Sequence, residues 1–86
     1  MSEIKIRLHP HARERMEERG VTEDEVDMTI RRGEKFAAKY GRAGFRRNFG
    51  YDGTWRGKAY RVKQVEVYAE EGDSEWLVMT VIARYF

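Results

Sequence analysis

The chain has 86 residues, room for a single domain spanning 1–86, because a chain this short buries only about 60–65% of the surface it exposes when unfolded. With 41% apolar and 37% charged residues and a net charge of +2, the surface is dense in charge and the core thin, so four Phe, five Tyr and two Trp must supply much of the packing. The absence of cysteine excludes a disulfide framework, a thiolate zinc site and a Cys nucleophile, and no apolar run reaches signal-peptide or membrane-span length, which predicts a cytoplasmic protein with no membrane partner.

Ile4, Ile6 and Leu8 alternate with Lys5 and Arg7, the pattern of a short edge strand or a packed lead-in. Pro10 suits a first helical turn, where its missing N–H is not needed, and the segment runs to Gly20, a natural stop, so the first helix is expected over 10–19. Thr22 followed three residues later by Glu25 reads as a capping box, with Val26 and Ile30 as the i, i+4 apolar pair of a second helix. Arg31 and Arg32 complement its C-terminal dipole and Gly33 ends it. Only Gly20 and Val21 separate the helices, which predicts an αα-hairpin.

From Phe36 the pattern becomes strand-like. FAAKY and GFRRNF read as two short strands, GYDGTW as a turn-rich loop exposing Tyr51 and Trp55, and YRVKQVEVYAE and EWLVMTVIARYF as two long strands joined by EGDS. In the first long strand Val65, Val67 and Ala69 share a face with Arg61 and Lys63, while Tyr60, Val62, Gln64, Glu66 and Tyr68 share the other. The last strand is nearly all apolar, hence central, with Thr80 and Arg84 as polar intruders on one face. The Thr80 hydroxyl must find a hydrogen bond there or cost stability, and the alternative to a functional role is a bond to a neighbouring carbonyl or simple packing as a β-branched residue. The expected class is α+β: an N-terminal two-helix hairpin on a small antiparallel sheet of about four strands.

Charge is unevenly distributed along this plan. Residues 36–69 hold eight cations and two anions, a net of +6, whereas the flanking segments are neutral to acidic. A local field of that sign favours polyanions. Arg42, Arg46, Arg47, Arg56, Lys58 and Arg61 are interleaved with aromatics, Trp55 among them, the combination that holds phosphates and stacks unpaired bases in single-stranded RNA recognition. The alternative is a hairpin with a solvated basic face and ordinary core aromatics.

His11, Arg15 and Arg19 fall on one drifting stripe of the first helix, beside the apolar stripe of Ala12 and Met16. Histidine exchanges protons near neutral pH and Arg15 can neutralise a phosphate beside it. The same residues also fit a helix-start histidine among arginines paired with Glu14, Glu17 and Glu18. His9 and His11 lack the spacing of a helical zinc pair, so no metal and no cofactor is expected. Neither a Gly-rich phosphate loop nor a nucleophile signature is present.

The segment HARERMEERG at His11 to Gly20 and the closing strand pair with Thr80 resemble the domain-of-unknown-function family DUF4258, over most of the chain. That family is similar to the RelE/ParE-like and BrnT-like toxin superfamily, which implies two helices against a small antiparallel sheet and, for some members, metal-independent cleavage of mRNA by attack of the substrate's 2′-OH on phosphate. What the resemblance implies for this chain is a catalytic group drawn from His11, Arg15, Lys63 and Thr80, with His11 transferring protons and Arg15, Arg61 and Lys63 on phosphate. It also implies an acidic antitoxin protein as partner. A noncatalytic nucleic-acid-binding or protein-interaction module of the same fold is the alternative function.

Overall fold

A computed structural model describes residues 5–86. In chain order it contains β1 (Lys5–Leu8), α1 (Pro10–Arg19), α2 (Glu23–Arg32), β2 (Glu34–Ala37), a 3-10 turn (Lys39–Gly41), β3 (Ala43–Trp55), β4 (Lys58–Gly72) and β5 (Glu75–Tyr85). The class is α+β, as expected, but the sheet has five strands in the order β1-β5-β4-β3-β2 and is mixed rather than purely antiparallel. The added strand is β1, which runs parallel to β5 with Ile6 opposite Trp76 and Leu8 opposite Val78; Ile4, expected to begin it, lies outside the described residues.

Both helices are set by local signals. At the start of α1 the His9 imidazole takes the capping role, its Nδ1 accepting the His11 backbone N–H at 3.1 Å. Gly20 ends the helix in the left-handed region at φ 68°, and Val21 N–H closes back on the Met16 carbonyl at 2.9 Å. In α2 the capping box is complete: Thr22 Oγ1 accepts from Glu25 N–H, and the Glu25 carboxylate accepts from Thr22 N–H.

The segment GYDGTW is not a loop. It extends β3 beyond a bulge between Gly50 and Gly53, and the hairpin turns on Arg56 and Gly57, both at positive φ (52° and 80°). The long β3–β4 ribbon curls over the α1–α2 turn, where Trp55 stacks on Tyr85 at 5.0 Å and the Arg56 guanidinium donates to the Glu18 carbonyl at 3.1 Å. Tyr51 and Trp55 are therefore half-buried, not exposed as the sequence suggests: Tyr51 meets Tyr85 edge-on at 5.3 Å.

One apolar core joins Ala12, Met16, Val26 and Ile30 of the helices to Phe45, Val65, Val67, Ala69, Trp76, Val78 and Val81 of the sheet. Strand alternation sends the neighbouring residues Gln64, Glu66 and Tyr68 to the other face, which no helix of the described residues covers.

Candidate functional site

The uncovered face is where chemistry-bearing side chains converge. Register brings Arg46 opposite Glu66, Thr80 opposite Tyr68 and Arg84 opposite Gln64, while Phe36 of β2 sits across from Gly44. A side chain at position 44 would overlap the Phe36 ring, so glycine is what allows Phe36 to lie flat on the sheet. Above that ring stands the Arg46 guanidinium, 4.8 Å from its centroid, and the ring meets Tyr68 edge-to-face at 6.0 Å.

Glu66 is the centre of the arrangement, only 3% exposed although it lies on the open face. Its Oε2 accepts from Arg46 Nε at 2.9 Å and from Arg84 Nη1 at 2.5 Å, and its Oε1 accepts from the Tyr68 hydroxyl at 2.8 Å. Burial alone would raise the carboxyl, but the hydrogen bonds from Tyr68 and Arg46 and the charge of Arg84 outweigh it and hold the group below its ordinary value. Tyr68 moves the other way. Burial, then its bond to the ionised Glu66, keeps its proton bound above the usual phenol range. The face thus carries an ionised carboxylate, a phenol that holds its proton and two guanidinium groups within one hydrogen-bonded cluster. Beside it runs a groove of about 450 Å³ lined by Phe36, Tyr40, Arg42, Tyr68 and Thr80.

The residues singled out in the sequence are distributed otherwise. His11 is exposed on the first turn of α1, and Arg15 pairs with Glu18 at 2.8 Å. Lys63 is 3% exposed beneath the α1–α2 turn, donating to the Gly20 carbonyl and, at 2.7 Å, to Glu25 Oε1. These three belong to the helix-covered side of the sheet and Thr80 to the open side, so the four are not brought together. Lys63 is committed to the fold, because burial leaves an ammonium no alternative to these two acceptors.

Nor do the cations of residues 36–69 form one patch. Arg42 and Arg46 lie on the open face, Arg42 paired with Glu70 at 3.1 Å. Arg47 points to the helix side, near the Arg32 carbonyl that ends α2 (3.5 Å), while Arg56 and Lys58 sit at the hairpin tip and Arg61 is exposed near the chain end. Period-2 alternation separates charges that are adjacent in sequence. Glu66, Tyr68 and Arg84 were missed as site residues, though the shared face of Glu66 and Tyr68 and the even spacing of Thr80 and Arg84 already pointed to them. Among the described residues no group of three or more His, Asp or Glu side chains is placed to hold a metal ion, and no helix is long and apolar enough to cross a membrane.

Residues 8–83 match the family described as Domain of unknown function (DUF4258). The chain belongs to that family. The match takes in both helices, β2 to β4 and most of β5 of this DUF4258 domain, with Arg46, Glu66, Tyr68 and Thr80 inside it and Arg84 one residue beyond. No curated protein and no solved structure matches the chain.

Proposed function

We propose that this DUF4258 domain acts on RNA as a RelE-like, metal-independent ribonuclease of the toxin type, with the open face of the sheet as its site. The observation that carries the reading is Glu66, a buried carboxylate kept ionised between Arg46 and Arg84 and bonded to the Tyr68 hydroxyl, on the sheet face opposite the two described helices. An RNA phosphate takes over the two guanidinium groups, and Glu66, relieved of them, becomes a stronger base.

Glu66 then accepts the proton of the 2′-OH as that oxygen attacks the adjacent phosphorus. The bond from phosphorus to the 5′ oxygen breaks, the leaving oxygen takes the Tyr68 proton, and a 2′,3′-cyclic phosphate remains. The existing Glu66–Tyr68 hydrogen bond returns the proton to Tyr68, so the site is restored without metal or cofactor. Arg46 and Arg84 stabilise the charge that develops on the phosphoryl oxygens. Relative to a reading centred on His11, proton transfer moves to Glu66 and Tyr68, Thr80 keeps a place beside them, and an acidic antitoxin would cover the same arginines.

One observation favours the second reading, a noncatalytic nucleic-acid-binding module: Glu66 already has three donors, as a purely structural carboxylate would. Incubation with RNA in EDTA separates the two. Cleavage to 2′,3′-cyclic phosphate ends, lost in Glu66→Gln and Arg84→Ala and kept in His11→Ala, supports the ribonuclease. Intact RNA retained with a steep salt dependence supports the binding module, and no retention at low salt removes both.

A further inference from the structure

Tyr40 is 86% exposed, the most exposed large apolar-bodied side chain among the described residues, and its backbone is in the left-handed region at φ 62°. That conformation strains a non-glycine residue, because its Cβ crowds the following carbonyl. The turn holding it is closed at its base, with Ala38 N–H on the Arg42 carbonyl at 3.0 Å and Arg42 N–H on the Lys39 carbonyl at 3.2 Å. The ring is thereby presented to solvent. Among the described residues it meets no other ring, and the Arg42 guanidinium lies 5.8 Å from its centroid.

Tyr40 forms one rim of the groove whose wall includes Phe36 and Tyr68. Tyr68 connects that groove directly to Glu66, and Phe36 connects it to Arg46. A groove with aromatic walls, an exposed ring on its edge and the Arg42 guanidinium beside it suits a π-faced ligand attached to a phosphate.

We infer that the groove between Tyr40 and Tyr68 is a subsite for an unpaired base of single-stranded RNA, with Tyr40 as its stacking platform and Arg42 beside the adjoining backbone. The inference rests on the proposed action at Glu66 and adds the strand state of the substrate: a base must leave its stack to enter the groove, so duplex RNA does not fill it.

The test is fluorescence anisotropy with a labelled single-stranded oligoribonucleotide, 2′-O-methylated so that no 2′-OH is left to attack, and with its duplex, at low salt. Tyr40→Ala weakens single-strand binding about 10-fold, Tyr40→Trp keeps it, and duplex binding is unchanged. The slope of affinity against salt stays the same, because no phosphate contact is removed. Tyr40→Gly relieves the backbone strain, so its melting temperature rises while its single-strand affinity falls, which separates binding from folding. If wild type binds the single strand and Tyr40→Ala binds it equally well, the subsite is wrong while the reading of Glu66 stands. Equal loss for duplex and single strand likewise overturns it, and absence of any RNA binding by wild type overturns both.

Discussion

Lys63 Nζ lies 2.7 Å from Glu25 Oε1, the same oxygen that accepts the Thr22 backbone N–H at 2.9 Å. A single carboxylate oxygen therefore completes the cap of α2 and ties that cap to β4. A second bond from Lys63 to the Gly20 carbonyl fastens the end of α1 to the same point.

Removing this ammonium leaves Glu25 without its buried partner and the Gly20 carbonyl without its donor. Lys63→Met is expected to lower stability by about 2–3 kcal/mol in urea unfolding. The folded variant should still bind RNA as wild type does, since Lys63 lies under the helices. A loss of binding with no loss of stability would return Lys63 to the site.

Gly20 and Gly41 are both at positive φ, 68° and 70°, but their surroundings differ. A Cβ at Gly20 would come within 2.5 Å of the Trp55 ring, whereas at Gly41 it meets open space. Gly41→Ala should cost about 1 kcal/mol from backbone strain alone. Gly20→Ala should cost about 1–2 kcal/mol more, a further drop in melting temperature of several degrees. Equal losses would mean that the hairpin tip moves aside freely.

The Glu66 carboxyl, held below its ordinary value of 4.5, binds a proton less readily folded than unfolded. Its contribution to stability is therefore complete above 4.5 and is lost as pH falls below it through the folded value. Glu66→Gln should be less stable than wild type at pH 7, and the difference should close toward pH 3. Urea unfolding at both values checks this, and an undiminished gap at low pH would show that the charge is not what matters.

Tyr85 behaves in the opposite sense. Burial first, then the neighbouring Tyr51 and Glu25, push its hydroxyl from 10 up to about 12. The unfolded phenol ionises first, so wild-type stability is intact below pH 10 and declines between 10 and about 12. Tyr85→Phe loses the bond to the Arg19 carbonyl (2.7 Å) and is less stable at pH 8, yet its stability should decline less across that alkaline window. Parallel curves for the two proteins would refute the assignment.

Much of the scaffold was legible because its determinants are local. The helix limits 10–19, the Thr22–Glu25 box and the Gly20 stop each depend on residues within one turn of one another. The two faces of β4 follow from alternation alone, and Val65 with Lys63 on one side and Glu66 with Tyr68 on the other stand as the pattern requires. The limits of β3 were not legible: Gly50 and Gly53 read as turn residues, and only pairing with β4 across a bulge turns that segment into strand.

The candidate site is less legible, because a run of charge along the chain is divided by strand alternation between two faces of the sheet. The eight cations of residues 36–69 include one buried under the helices, others at the hairpin tip, and Arg46 on the open face. Arg84, from the acidic final segment, joins Arg46 on Glu66.

By itself, then, the sequence determined what short-range hydrogen bonding and side-chain periodicity determine: the helical hairpin, its caps and the facing of each strand. Tertiary structure alone decided that β1 returns parallel to β5, that Trp55 folds onto Gly20, that Lys63 is spent on the helix turn and that Glu66 becomes the buried charge of an open face. The reason is distance along the chain. Lys63 and Gly20 are 43 residues apart and Arg84 and Glu66 are 18 apart, and pairings of that range exist only once the sheet has set their register.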